Sequence, residues 1–226
     1  MEIEIGGASV TLLPPGGAWI PAEEAVLVAD LHLGKGAAFR AAGRAVPAGT
    51  SQETLGRLSD VLRAAPSARV LWILGDLFHA DAGVTPRMAD AWARWRARHP
   101  ELGVGLVAGN HDRGLEEVAR RWHMEVRDDV VPVGGLLLAH HPPESPDGPT
   151  VAGHLHPVFR LRDGRRWRMR SPCFWVRGEV LILPALGALV DGAGIRTGAG
   201  DRVFVPAGDQ VLEIPSAQLP SSARAG

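Results

Sequence analysis

Apolar and polar positions repeat with two different periods along this chain, and the changes of period mark its elements. Short runs of Ala, Val, Leu and Ile read as buried strands that each stop at a turn marked by Gly or Pro: AVLVADLH, VLWILGDLFH, GVGLVAGNHD, GLLLAHHPP and TVAGHLHP. Elsewhere the spacing is helical. Ser51 to Ala64 carries Leu55, Leu58, Val61 and Leu62 on one face, with Thr50 and Ser51 offering caps. Thr85 and Pro86 open a second helix as cap and first-turn proline, and Met88, Ala91, Trp92 and Trp95 form its stripe. A third helix spans Leu115 to Trp122. The opening EIEIGGASVTLLPPGGAWIP predicts a short hairpin, and strands dominate from Met124 onward. Alternating α and β elements thus give way to a β-rich second half.

The Trp92 and Trp95 stripe resembles a base-stacking platform, but its amphipathic spacing makes it core, with Arg94, Arg96 and Arg98 as the solvated face. A second arginine group, from Arg160 through Arg166, Arg168 and Arg170 to Arg177, follows the last strand-end motif, with Asp163-Gly164 as a hairpin turn. Alternation puts Arg166, Arg168 and Arg170 on one face, opposite Trp167 and Met169. That face fits phosphate contacts by Arg160, Arg166 and Arg168, and it fits a plain solvated hairpin equally well. No repeat or linker interrupts the 226 residues, so one domain is expected over 1–214, with the polar stretch 215–226 as a disordered tail.

Chemistry concentrates where the strands end. Asp30 and His32, Asp76 and His79, Asn110 with His111 and Asp112, His140, and His154 with His156 all follow apolar runs directly. Carboxylate, amide and imidazole donors in this number suit two divalent ions about 3.5–4 Å apart, an arrangement that clamps phosphoryl oxygens and activates water. Asp76 is the expected bridge. One ion would take Asp30, His32 and His156, and the other Asn110, His140 and His154. Spacing suggests that Asp30 and His32 point together as i and i+2 of an extended segment. His140 and His141 are neighbours, so only His140, which ends the run directly, is expected as a ligand. His111 is the candidate for protonating a leaving oxygen, with Asp112 orienting it. His79 falls beside the ligands, where it would contact a ligand or the substrate. His99 and His123 lie at helix ends away from the motifs. Mixed ligation of this kind suits manganese, iron, zinc or nickel.

Composition narrows the setting. A formal net charge of −1 excludes a strong global attraction to nucleic acid, leaving only a local patch. Arginine outnumbers lysine 23 to 1, and the lone Lys35 follows the first motif, where its ammonium fits a phosphate contact as well as an idle surface position. The single cysteine, Cys173, cannot pair within the chain, and no basic leader or membrane-length apolar run is present, so a cytoplasmic protein without membrane contact is expected.

The five motifs in this order resemble the calcineurin-like metallophosphoesterase superfamily from about Ala25 to Pro157. DLHLGK, AAGRAVPAG, GDLFH, GHLHP, PCF and LPALGALVDG further resemble the ligase-associated DNA damage response endonuclease family (PdeM) over nearly the whole chain, with Leu186 standing where that family has an aromatic. The resemblance implies an α/β fold, a four-layer αββα sandwich of two mixed β-sheets flanked by helices. It also implies manganese-supported cleavage of DNA phosphodiester bonds in repair, with a DNA ligase or helicase as possible partner. A small-molecule phosphodiesterase or pyrophosphatase acting on a nucleotide-sugar or cyclic nucleotide is the alternative activity, and a metal-stabilised scaffold without turnover is a third reading.

Overall fold

A computed structural model describes residues 1–163 and 166–219, without the side chains of residues 162, 163 and 166–168. The chain opens with β1 (Glu2–Ile5), β2 (Ala8–Leu13) and β3 (Gly17–Ile20), an antiparallel meander that continues into β4 (Ala25–Val28). The expected hairpin therefore gains a third strand. Its turn closes with Gly16 N–H donating to the Leu13 carbonyl at 2.9 Å, and positive-φ Gly16 lets the chain double back.

Next come α1 (Lys35–Ala41), α2 (Thr50–Ala64), β5 (Val70–Leu74), α3 (Pro86–Arg96), β6 (Gly103–Val107), α4 (Glu116–Arg121) and β7 (Glu125–Arg127). Strands β4 to β7 are parallel and complete a sheet ordered β1-β2-β3-β4-β5-β6-β7. Three of the helices match the sequence periodicity. Helix α1 has no apolar stripe and forms through tertiary contacts. Gly34, in the left-handed conformation, precedes it and donates to the Ser51 hydroxyl at 3.0 Å, which ties its start to that of α2. Ser51 therefore serves a neighbour instead of capping its own helix, whose start at Gly49 has no side-chain cap. Thr85 caps α3 as expected, accepting from Met88 N.

The second half supplies β8 (Val131–Val133), β9 (Leu136–Ala139), β10 (Thr150–Ala152), β11 (Pro157–Asp163), β12 (Arg166–Pro172), β13 (Phe174–Arg177), β14 (Val180–Ile182), β15 (Ala193–Gly194), β16 (Arg202–Ala207) and β17 (Gln210–Glu213). Seven of these strands make a mixed sheet ordered β17-β16-β13-β14-β10-β9-β8, and a small sheet is ordered β12-β11-β15. Strands β9, β10 and β14 are the parallel centre of the seven-stranded one.

Alternation along each strand sorts side chains into layers. Val26 and Val28 of β4 and Leu71 and Ile73 of β5 face the helices, where they meet Leu58 and Val61 of α2 and Met88, Trp92 and Trp95 of α3. Trp92 stacks on Trp95 and Trp122 at 4.9 and 5.3 Å, so the tryptophan stripe is core. Leu27, Trp72 and Leu74 face the other way and pack on Leu138, Val151, Phe174 and Leu181 of the second sheet. The two stacked mixed sheets are therefore as the resemblance implied. Outside the second sheet, a third cluster of Phe159, Cys173, Val203 and Val205 lies under β11 and β12, so the small sheet is the layer there. The expected tail begins with a 3₁₀ turn at Ser216–Gln218, and Leu219 packs on this third cluster, while 220–226 lie outside the described residues. Among the described residues, no helix is long and apolar enough to cross a membrane.

Candidate metal centre

Parallel strands in the two sheets end at a common edge, and each motif begins there. Asp30 follows β4, Asp76 follows β5, Asn110 follows β6, His140 follows β9 and His154 follows β10. The edges are held in register by main-chain bonds: Asp30 N–H donates to Gly75 O at 3.1 Å, His32 N–H to Asp76 O at 2.8 Å, and Gly153 N–H to His140 O at 3.1 Å.

Backbone conformation at this edge differs from the extended geometry that the spacing suggests. Asp30, His32, Asp76, His154 and His156 have φ of 55°, 44°, 49°, 69° and 46°. Non-glycine residues enter this left-handed region rarely, and such strain gathers at functional sites where surrounding packing enforces it. Asp30 and His32 thus converge by left-handed turning and not as i and i+2 of a strand. Glycines make the remaining room. A Cβ on Gly75, itself at φ 78°, would collide with the His140 ring, and one on Gly109 would collide with the Asp76 carboxylate.

The side chains form two adjoining donor sets. In the first, His32 Nε2 lies 3.4 Å from His156 Nε2 and 3.6 Å from Asp76 Oδ2, and His156 Nε2 lies 3.3 Å from Asp30 Oδ1. In the second, His140 Nε2 lies 3.1 Å from both Asn110 Oδ1 and His154 Nδ1, and 3.5 Å from Asp76 Oδ1. The two Asp76 oxygens therefore face different sets. The seven residues expected as ligands lie in these two groups, and His140 and His154 also form a three-imidazole group with His141. His141 is exposed, with its ring 4.0 Å from that of His154, and stands at the rim.

This donor chemistry fits cations. His140 Nδ1–H donates to the Leu74 carbonyl at 3.0 Å, which fixes the tautomer and leaves the Nε2 lone pair aimed at an amide oxygen and a carboxylate. At such distances either a shared proton or a cation must lie between these atoms, and imidazole, amide and carboxylate donors converging in this number suit a divalent ion. Burial, reinforced by neighbouring His156 and Lys35, pushes His32 down to about 2, and burial holds His140 at about 4 and His154 below its ordinary value. Neutral imidazoles need no proton loss before taking a metal. His32, His79 and His111 form a further three-imidazole group beside the first set, without a carboxylate.

His111 and Asp112 part company. Asp112 Oδ1 accepts from Phe78 N at 3.0 Å and Oδ2 from Gly109 N at 2.9 Å, so this buried carboxylate ties two motif turns together and does not orient the His111 ring. Burial pushes it up to about 6 despite those donors. His111 is oriented by main chain: Nδ1–H donates to the His79 carbonyl at 2.7 Å, and the ring stacks on that of His79. A carbonyl partner leaves no trace in sequence, whereas the adjacent Asp112 invites the wrong pairing. Asp112→Ala should strand two buried N–H groups and destabilise the protein by about 2–5 kcal/mol in denaturant titration. A loss under about 1 kcal/mol would mean that these bonds are dispensable.

Lys35 lies near the site, with its N–H on His32 O at 3.2 Å and its ammonium 5.7 Å from the Phe39 ring. His79 is held at about 4 by burial and by Lys35 and His111. Arg160 pairs in register with Arg170 across the β11–β12 hairpin that leaves His156, while the side chains of Arg166 and Arg168 lie outside the described residues.

Two donor sets sharing one carboxylate, at the carboxyl ends of parallel strands from stacked sheets, define a metallophosphoesterase, a phosphoric ester hydrolase. Residues 25–175 match the calcineurin-like phosphoesterase family, and the chain belongs to it. It is similar over 95% of its length, and 99% of the other chain, to the crystal structure of Pseudomonas putida nuclease MPE, with 33% identity and a TM-score of 0.78. A protein of unknown function from Aquifex aeolicus matches at 18% identity and a TM-score of 0.40 over 58% of this chain and 78% of that one. No curated protein matches the sequence. The family assignment and the nuclease neighbour agree with the branch expected from the motif wording.

Proposed function

We propose that the protein is a binuclear metal-dependent phosphodiesterase that cleaves DNA, as a nuclease acting in repair within the cytoplasm. The observation that carries the reading is Asp76, whose two oxygens address two separate sets of donors. Similarity to a nuclease over nearly the whole of both chains supports the choice of substrate. One ion would be held by Asp30, His32, Asp76 and His156, and the other by Asp76, Asn110, His140 and His154. Manganese is the first candidate for mixed nitrogen and oxygen ligation. Bound there, the ions would supply electrostatic stabilisation of the phosphoryl group and a more acidic water.

The chain's own residues would do the rest. Hydrogen bonding to the His79 carbonyl commits one nitrogen of His111, so the other, Nε2, is the atom that would hand a proton to the leaving alkoxide when the ring carries both protons, returning to the neutral imidazole. Lys35 brings an ammonium to the same side of the site, where it would hold a non-bridging phosphate oxygen. Asp112 keeps the Phe78 and Gly109 turns at a fixed separation, and with them Asp76 and Asn110.

The test incubates manganese-loaded protein with circular single-stranded DNA, circular duplex DNA and bis(p-nitrophenyl) phosphate, with Asp76→Asn in parallel against contaminating nuclease. Opening of a circle by the wild type alone is the expected result. Hydrolysis of the chromogenic diester with both circles intact would move the assignment to a small-molecule diester.

A further inference from the structure

Four of the five phenylalanines, Phe78, Phe159, Phe174 and Phe204, are fully buried, each 0% exposed. Phe39 is the exception. It is only partly buried and belongs to none of the three apolar clusters. Three polar groups adjoin it, two of them from the site: the His79 ring meets it edge-on at 5.5 Å, Lys35 Nζ lies over it 5.7 Å from its centroid, and the Arg44 guanidinium lies over it at 5.1 Å. His79 in turn stacks on His111 at 5.2 Å. An aromatic ring placed for packing would face the core. This one stands one ring away from the proposed proton donor, with two cations over its face.

We propose that Phe39 is the stacking platform for an unpaired nucleobase adjoining the scissile phosphate. The inference rests on the nuclease reading and deepens it. Stacking of a base on an aromatic face is sequence-tolerant, and beside a positively charged groove it is the usual way to hold a single strand. Exposed cation–π contacts are weak, so Lys35 and Arg44 yield the ring face to a base and turn to the phosphates on either side of it. A base in an intact duplex is stacked on its neighbours and unavailable to the ring. The platform therefore selects single-stranded or locally unpaired DNA, and it distinguishes a nucleotide strand from a diester that has no base.

The experiment compares wild type, Phe39→Ala and Phe39→Trp, as full manganese-loaded chains, on single-stranded oligonucleotides with every base present or with one abasic spacer. Phe39→Ala should lower kcat/KM on the complete strand about tenfold, chiefly through KM, as expected for one lost base stack. Wild type should lose a similar factor at the phosphates flanking the spacer, Phe39→Ala should lose nothing further there, and Phe39→Trp should restore the complete-strand rate. Equal losses for Phe39→Ala on both strands would overturn the proposal. A second readout needs no turnover: binding of an oligonucleotide carrying 2-aminopurine should quench its fluorescence with wild type and not with Phe39→Ala. Absence of quenching with wild type overturns the platform whatever the cleavage result. Quenching without any DNA cleavage upholds the platform and overturns the nuclease reading instead.

Discussion

Asp76→Asn should bind no metal tightly and should lose at least about three orders of magnitude in turnover, while its metal-free form stays folded. The carboxylate faces both donor sets, with Oδ2 3.6 Å from His32 Nε2 and Oδ1 3.5 Å from His140 Nε2. An amide keeps one oxygen for the His111 N–H that Asp76 now accepts at 3.0 Å, so the local turn survives. It offers the other set an NH₂ group, which cannot ligate. Electrostatic stabilisation by the ions, several kcal/mol, then disappears, and each 1.36 kcal/mol is about tenfold in rate. Melting with and without manganese separates this from misfolding. Metal at a thousand times its Kd should stabilise the wild type by about 4 kcal/mol and the variant by almost nothing. Normal metal content together with normal activity in the variant would sink the site assignment.

His111→Ala should show the opposite pattern: full metal content and a slow chemical step. Its ring lies outside both donor sets that include Asp76, and one nitrogen is already committed to the His79 carbonyl. Removing a general acid costs about 10²- to 10⁴-fold. The loss should depend on the leaving group. Deoxyribose alkoxide needs a proton as it departs, whereas p-nitrophenolate leaves readily without one. The deficit on DNA should therefore greatly exceed that on bis(p-nitrophenyl) phosphate. Equal deficits on both substrates would argue against proton donation. Reduced metal content would instead make the imidazole group of His32, His79 and His111 part of a metal site.

The proposed metal donors were legible in the sequence because each lies within a few residues of the end of an apolar run. Local periodicity places strand ends, and a parallel strand end is where the sheet edge presents its turns. The same locality made α2, α3 and α4 readable, since an amphipathic stripe such as Leu55, Leu58, Val61 and Leu62 carries its own period. It failed for α1, whose Ala- and Gly-rich sequence has no stripe and whose start is held by Ser51 from another helix. It failed again for the opening strands, where β3 is held between β2 and β4.

Sequence by itself therefore determined which residues meet and which elements carry them. Tertiary structure alone decided how they meet. The left-handed backbone at Asp30, His32, Asp76, His154 and His156 has no propensity signature, because the packing around the ends of the two stacked sheets imposes it against local preference. The partner of His111 is a carbonyl, identical in every residue and silent in sequence, so Asp112 drew the pairing that its buried position at the Phe78 and Gly109 turns excludes. The partial burial of Phe39 beside His79 is likewise a fact of the assembled surface, since burial depends on neighbours that only folding supplies.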